Sequence, residues 1–207
     1  MSHQTMGLTD DRDLVTLQPD QPFFETLYTV SPLVVIGTRE ADGSENLAPK
    51  HMAFPLGWGD HFGFVCKPAH GTYENVERTG EFTVSYPRPD EVLEASLAAA
   101  PRDSEGDKPT LEDIETATGE SVNAPAVADA YAVLECELDR IVAGFGDAGL
   151  VAGKAVAKHV HTDAHRTHDE EPEVLLEQAP ALAYLYPDRF AEIRETQAFP
   201  FPEGFER

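Results

Sequence analysis

Short runs of apolar residues recur along the chain and are separated by turn-forming residues. The run Leu33–Thr38 is continuous and rich in β-branched residues, which is typical of a buried strand. A strong turn signal, Asp42-Gly43, follows this run and precedes a return strand over Leu47–Phe54. The same pattern predicts further strands over Phe62–Lys67, Phe82–Tyr86, Tyr131–Val142 and Leu150–Val160.

Helical segments are predicted between these strands. They cover Thr72–Thr79, Glu91–Ala100, a segment headed by Thr110, and Val174–Gln178, whereas Phe23–Val30 and Pro187–Glu195 are expected to form short helices or turns. Antiparallel strands at short intervals with interposed helices favour a mainly β fold, a small β-barrel with helical excursions. We expect one domain over residues 31–195, with an N-terminal arm and short helix before it (1–30) and a tail after it (196–207).

Composition narrows the classes of function. The 207 residues include 38 acidic and 15 basic side chains, which gives a net charge of −23. This balance argues against nucleic acids and anionic membrane surfaces as partners. No apolar run reaches the length of about 18 residues that a membrane span needs, and the polar N-terminus lacks the features of a signal peptide, so we expect a cytoplasmic protein. Cys66 and Cys136 lie in apolar runs and are expected to be reduced core residues.

Two short polar segments are the candidates for chemistry. In the first, Asn46–His51, Pro49 interrupts a strand, which usually places that strand at a sheet edge or a bulge and leaves backbone groups free for a planar heterocycle. The second, Lys67–Thr72 with Asn75 one turn later, opens a helix whose free N–H groups can hold a phosphate. The alternatives are an irregular solvent-facing strand and a simple helix that Thr72 caps.

Four of the eight histidines form a group in the C-terminal half: His159, His161, His165 and His168. On a helix His161 and His165 could face one metal ion, but the polar residues around them favour a loop, and no further ligand completes a spaced set. We therefore predict solvent-facing histidines and no metal site. The chain also lacks a Gly-x-Ser-x-Gly elbow, a P-loop and a His-Glu-x-x-His motif.

Taken together, these segments resemble the flavin-reductase-like family, whose fold is the FMN-binding split β-barrel. The order and spacing of several short pieces carry the resemblance, from about Ser31 to His161 and more loosely to Arg194. The matching pieces are Asp42-Gly43, Asn46–Pro49, His70–Thr72 with Asn75, Thr79–Val84, Val133–Cys136, Gly146-Asp147 and Gly153–Val156.

The resemblance implies a homodimer with one FMN per subunit, and an FMN-binding oxidoreductase that takes electrons from NADH, NADPH or a protein donor. It implies no catalytic acid or base, because the isoalloxazine itself performs the redox chemistry. An alternative is a non-catalytic FMN-binding electron carrier. The cofactor-binding residues carried over from the family are Asn46, Leu47, Ala48, Pro49, Lys50, His51, Lys67, His70, Gly71, Thr72 and Asn75.

Two positions depart from the family pattern. Short members that reduce free flavin often carry a histidine directly after Gly-Asp, and it helps to seat the nicotinamide; here that position is Ala148. Many relatives have a serine where this chain has His51, which exchanges a small hydroxyl for a titratable ring. The first departure weakens the prediction of a dedicated NAD(P)H:flavin reductase, and the second leaves the substrate open.

The spread of acidic residues along the whole chain predicts a protein adapted to a salt-rich cytoplasm, because molar salt screens self-repulsion beyond about 3 Å. The urea midpoint of unfolding should rise as KCl is increased from low to molar concentration. A midpoint that does not rise with salt would indicate an ordinary acidic protein.

Overall fold

Antiparallel strands dominate the fold. The computed structural model describes residues 13–104, 106–167 and 172–204. In chain order its strands are β1 Val30–Pro32, β2 Val34–Arg39, β3 Glu45–Lys50, β4 Ala53–Pro55, β5 His61–Cys66, β6 Glu81–Tyr86, β7 Thr116–Thr118, β8 Pro125–Val127, β9 Ala132–Phe145, β10 Ala148–Val160, β11 Ala181–Leu185 and β12 Arg189–Ile193. Its α-helices are α1 Gly71–Thr79, α2 Val92–Leu97 and α3 Pro172–Gln178, and its 3-10 helices are Phe23–Glu25, Pro89–Glu91 and Pro109–Asp113. No helix among the described residues is long and apolar enough to cross a membrane.

Seven strands form one antiparallel sheet whose order is β3-β2-β6-β9-β10-β5-β4. Strands β3 and β4 lie at opposite edges of this sheet, yet only His51 and Met52 separate them in the chain. The sheet must therefore curl until its two edges almost meet, without hydrogen bonds closing the gap between them. Register shifts at three points of the β9–β10 pairing add bends of the kind that bulges introduce.

The curled sheet encloses the main core. Its inner side chains come from β2, β5, β6, β9 and β10, and include Val34, Ile36, Phe64, Phe82, Val84, Cys136 and Val151. Alternate residues of β2 point the other way, so that Val35 packs with Leu47 and with Ala95 and Ala98 of the α2 region. Because β2 is buried on both faces, its sequence is a continuous apolar run rather than an alternating one.

Helix α1 lies across one end of the sheet and contacts β2 and β3. It buries Tyr73 and Val76 against the core, and it ends at Gly80, whose φ of 72° is left-handed and whose N–H bonds the Val76 carbonyl. The N-terminal turn of the helix lies beside the edge strand β3, where Thr72 accepts a hydrogen bond from Asn46.

Several predicted elements differ from the observed ones. The return strand predicted over Leu47–Phe54 is broken at His51 and Met52, where the chain leaves one sheet edge and joins the other. The prediction of a helix or turn over Pro187–Glu195 is wrong for Arg189–Ile193, which is β12 and forms a three-stranded sheet in the order β1-β11-β12. The helix headed by Thr110 is a 3-10 turn over Pro109–Asp113. These elements depend on pairing and packing between distant segments, which local patterns do not contain.

Gly37 in β2 provides a test of how tightly the sheet packs. A Cβ at this position would overlap the carbonyl oxygen of Pro125, and β-strand backbone cannot shift cheaply. Gly37→Ala should therefore lower the free energy of unfolding by about 1–3 kcal/mol, as measured by urea denaturation. Gly59→Ala is the control, because a Cβ there meets no atom within 4 Å. Equal stability of the two variants would contradict the close approach of β8 to β2.

Candidate functional site

A cavity of about 390 Å³ lies between the edge strand β3, the N-terminus of α1 and the chain that follows α2. Both polar segments singled out in the sequence contribute to its wall. The lining residues are Asn46, Ala48, Pro49, Lys50, Ala69, His70, Gly71, Thr72, Ala98, Ala99, Ala100, Pro101, Arg102 and Lys108. The curl of the sheet and the packing of α1 on β2 and β3 bring these segments together.

A buried network of side-chain hydrogen bonds supports the floor of the cavity. The Asn46 amide donates to the hydroxyls of Thr38, at 2.9 Å, and Thr72, at 3.1 Å, and the Asn75 amide donates to Thr38 at 3.1 Å. All four side chains are buried. Because Asn46 already donates to the Thr72 hydroxyl, the O–H of Thr72 is left to donate elsewhere, and Thr72 lines the cavity.

The N-terminus of α1 offers free backbone donors. Its N-cap residue is His70, not Thr72, and the His70 side chain makes no capping bond, so the alternative of a helix capped by Thr72 is wrong. The first intrahelical bonds come from the N–H groups of Tyr73 and Glu74 to the His70 carbonyl. The N–H groups of Gly71 and Thr72 precede these bonds, and together with the helix dipole they favour an anion.

Arg102 places a guanidinium at this helix terminus. Its Nη2 donates to the Glu40 carboxylate and, at 3.2 Å, to Oδ1 of Asn46, while its Nη1 donates to the Gly106 carbonyl at 2.7 Å. A Cβ on Gly71 would lie 2.8 Å from Nη2, so the absence of a side chain there lets the guanidinium approach the helix.

Lys108 adds a second fixed cation. Its Nζ donates to the carbonyls of Leu47 and Ala98, both at 3.0 Å, which ties the β3 strand to the end of α2. Burial, together with the positive charges of Arg102 and Lys50, lowers the pKa of Lys108 to about 8. A bound anion would oppose both effects, because it stabilises the charged amine.

The chain concentrates its few lysines around this site. Three of its five lysines lie close enough to His70 to affect its imidazole: Lys50, Lys67 and Lys108. Burial is the main cause of the lowered pKa of His70, and the charges of these lysines lower it further. Lys67 itself is half exposed and forms an ion pair with Asp147 at 2.6 Å. In a protein with a net charge of −23, such a grouping indicates a local requirement for cations.

A second cavity, of about 480 Å³, adjoins the first and shares Pro49 and Ala99 with it. Most of its lining is apolar and comes from α2 and the β11–β12 hairpin, with His51 as a titratable group. The His51 ring lies 5.1 Å from that of Tyr184 and 5.6 Å from that of Tyr186, centroid to centroid. Burial, and secondarily the charge of Lys50, lowers the pKa of His51, which keeps this ring neutral at pH 7.

A third cavity lies on the other side of the cationic one and shares Arg102 and Lys108 with it. Carboxylates dominate its lining, which includes Glu40, Glu45, Asp103, Asp107 and Glu112. The three cavities therefore follow one another in the order apolar, cationic and acidic.

The structure brings most of the proposed cofactor-binding residues together but gives some of them other positions. Seven of them line the cationic cavity: Asn46, Ala48, Pro49, Lys50, His70, Gly71 and Thr72. Asn75 lies behind Thr72 in the buried network, and Leu47 is fully buried in the core. His51 lines the apolar cavity instead, and Lys67 pairs with Asp147 outside both.

Sequence reasoning missed Thr38, Glu40, Arg102 and Lys108. Arg102 and Lys108 flank an acidic, loop-like segment with no local motif. The sequence feature that could have pointed to them is the scarcity of basic residues in this chain, because an isolated cation in a strongly acidic protein is a candidate for binding an anion. Thr38 gave no signal, because a threonine is common in a buried strand.

The histidine group does not converge. His159 bonds the buried Glu135 carboxylate at 2.7 Å, and His161 bonds Asp163 at 2.6 Å. Among residues 13–104, 106–167 and 172–204, no group of three or more His, Cys, Asp or Glu side chains could hold a metal ion. His168 lies outside the described residues.

The architecture is that of a split β-barrel, a single curled sheet with helices at its open end. Solved structures with this shape include a split-barrel protein from Shewanella frigidimarina NCIMB 400, which is 18% identical, with a TM-score of 0.72 over 84% of this chain and 87% of that one. Residues 27–193 match the flavin reductase like domain, so the chain belongs to this family.

Two further solved structures are similar over nearly their whole length. Nitrilotriacetate monooxygenase component B from Bacillus cereus is 18% identical, with a TM-score of 0.77 over 91% of this chain and 100% of that one. Flavoredoxin of Desulfovibrio vulgaris (Miyazaki F) is 20% identical, with a TM-score of 0.74 over 92% of this chain and 100% of that one. At this level of identity the likeness establishes the fold alone. The comparison with curated proteins gave no match.

The pKa of Lys108 provides a test of the site's electrostatics. NMR of the flavin-free protein labelled at the lysine side chains should show one lysine that titrates near 8, and Lys108→Met should remove that signal. Inorganic phosphate should raise this pKa, because a bound anion stabilises the charged amine. Titration of Lys108 above about 10 would show that burial and the neighbouring cations do not act on its amine as described.

Proposed function

We propose that this protein binds FMN and is an FMN-dependent oxidoreductase. The observation that supports this proposal most directly is the pair of contiguous cavities, one apolar and one cationic, in a strongly acidic chain. FMN has the same two halves, since an apolar tricyclic ring is joined by a ribityl chain to a phosphate dianion. Membership of the flavin reductase like family supports the choice of a flavin over other amphipathic phosphates.

The donor set of the cationic cavity fits a phosphate monoester. The N–H groups of Gly71 and Thr72 would bind its oxygens at the helix terminus, and the Thr72 hydroxyl would add a third donor. Arg102 and Lys108 would supply fixed positive charge. Asn46 and Asn75 would act by holding Thr72 in position through the buried network.

The edge strand β3 would accommodate the rest of the cofactor. Pro49 has no N–H, and β3 has a pairing partner on one side only, so this edge stays open for a planar ring. Ala48, Pro49 and Lys50 line the wall there, and the apolar cavity continues beyond Pro49. When bound, the flavin supplies hydride and electron transfer, and the protein's own residues bind it, orient it and exclude water.

No side chain is required as a general acid or base in this proposal. The apolar cavity has three ionisable groups in its lining, His51, Asp188 and Arg189. Burial, and secondarily Lys50, lowers the pKa of His51, so its ring serves for packing rather than as a cationic acid at pH 7. NADH, NADPH or a reduced protein is the proposed electron donor. Ala148 begins β10, at the position where the family resemblance leads one to expect a nicotinamide-seating histidine.

The absence of a histidine at Ala148 favours a second candidate function, a non-catalytic FMN-binding electron carrier. Both candidates require the same flavin site and differ only in the source of electrons. We also propose a homodimer, because large apolar side chains including Trp58, Phe145 and Val160 are exposed on the single chain.

The purified protein tests the flavin proposal directly. A visible flavin absorption band that persists through dialysis, or saturable binding of added FMN, is the expected result. A colourless protein that does not bind added FMN would overturn the proposal.

Stopped-flow mixing of the FMN-loaded protein with NADH and with NADPH then separates the two functions. Rapid bleaching with either donor indicates the enzyme, and no bleaching with either indicates a protein donor, which the carrier requires.

Two substitutions test the phosphate-binding assignment. Arg102→Gln and Thr72→Ala should each weaken FMN binding about tenfold, the effect of losing one charge-assisted hydrogen bond. Riboflavin, which lacks the phosphate, is the discriminating ligand, and its affinity should not change. Thr72→Ser should restore FMN binding, and Arg140→Gln, a change at an exposed arginine paired with Asp139, is the control. An equal loss for riboflavin would indicate a structural defect instead.

A further inference from the structure

The acidic cavity next to the cationic one is a feature that the proposed FMN site does not use. The two share Arg102 and Lys108, so the acidic cavity begins where a phosphate held by these cations would end. Its volume is about 390 Å³, which is ample space for a further part of a ligand. A ligand that continued beyond its first phosphate in this direction would enter it.

The charges on the two sides of this boundary are opposite. Five carboxylates line the acidic cavity, from Glu40, Glu45, Asp103, Asp107 and Glu112, and its cations are the two it shares. Glu45 is held by Arg39, at 3.1 Å, and Thr116, at 2.7 Å, while Asp107 and Glu112 are exposed. No group of three or more side chains that could hold a metal ion is found in the described part of the chain.

Glu40 connects the two cavities. Its carboxylate accepts from the same Nη2 of Arg102 that donates to Asn46, and it lies 3.4 Å from the position of a Cβ on Gly71. The carboxylate therefore stands at the entrance to the helix terminus, on the side that faces the acidic cavity. An incoming phosphate would compete with Glu40 for Arg102, and only a group with a high local negative charge would displace the carboxylate.

We propose that Glu40, Asp107 and Glu112 determine cofactor specificity by admitting flavins that end in one phosphate and excluding those that continue into a second. This inference rests on the proposed flavin site and names the selectivity of that site: FMN over FAD.

The distribution of charge on the two cofactors gives the physical reason. The terminal phosphate of FMN carries nearly two negative charges on one group at pH 7, and all of this charge would lie among the cations and helix N–H groups. In FAD each phosphate carries one charge. Its first phosphate would compete less well for Arg102, and its second would lie among carboxylates, where like charges repel.

The test is a set of binding titrations of the full-length, flavin-free protein with FMN, FAD and riboflavin at low ionic strength. The wild type should bind FMN at least about tenfold more tightly than FAD. In Asp107→Asn/Glu112→Gln, FAD affinity should rise about tenfold with little change for FMN, because both side chains line the acidic cavity and neither lines the cationic one. Glu40→Gln should raise the affinity for both cofactors, since it removes the competitor for Arg102.

The matched control is Asp129→Asn/Glu177→Gln, which changes the net charge by the same amount at exposed residues outside these cavities. This control variant should have the same ratio of FAD affinity to FMN affinity as the wild type. In the wild type, the preference for FMN over FAD should also become smaller as KCl screens the carboxylates.

The outcomes distinguish the proposed flavin site from its proposed selectivity for FMN over FAD. Failure to bind FMN at all would overturn the proposed function. Tight FMN binding with equal affinity for FAD, or a selectivity that neither the neutralising substitutions nor salt reduces, would overturn this inference and leave the flavin site intact. A selectivity that the control variant reduces equally would show that net charge, and not these carboxylates, is responsible.

Discussion

The structure depends on a sheet that must curl until its two edges meet without pairing. Strands β3 and β4 lie at opposite ends of the sheet order and are joined by only two residues. Pro49 near the end of β3 has no N–H to extend the ladder, so the edge remains open. This open edge strand forms one wall of the cationic cavity, through Asn46, Ala48, Pro49 and Lys50.

Charge placement explains how a strongly acidic protein can hold an anion. Repulsion from 38 acidic side chains disfavours a phosphate over most of the surface. Locally, Arg102 and Lys108 are fixed by hydrogen bonds to backbone carbonyls, and the terminus of α1 adds oriented N–H groups. Burial lowers the pKa of Lys108, and the neighbouring charges of Arg102 and Lys50 lower it further. The site is therefore organised in advance and does not depend on rearrangement of long flexible side chains.

The succession of apolar, cationic and acidic cavities gives this site a direction. In the proposed FMN site, the ring would lie beyond Pro49 and the phosphate at Gly71. The β11–β12 hairpin closes the apolar end through the rings of Tyr184 and Tyr186, which pack beside His51. The C-terminal segment thereby contributes to the lining of the apolar cavity, although its strands belong to the separate three-stranded sheet.

Local patterns predicted the elements whose signals lie within a few residues. The apolar run of β2, the Asp42-Gly43 turn, the β9–β10 hairpin and the location of α1 all follow from periodicity and turn chemistry. They did not predict the break after Lys50 or the strand β12, since both arise from pairing with segments far away in the chain.

By itself, the sequence determined a mainly β chain with two polar segments suited to a phosphate-bearing heterocycle, because proline, glycine and helix-start chemistry act over short distances. The tertiary structure alone decided which cations complete the site. Arg102 and Lys108 reach it only because α2 packs on β2 and β3, and His51 leaves it because the chain crosses to the other sheet edge there. Contacts between distant segments carry no local signature, since their energy depends on burial and charge that exist only in the folded chain.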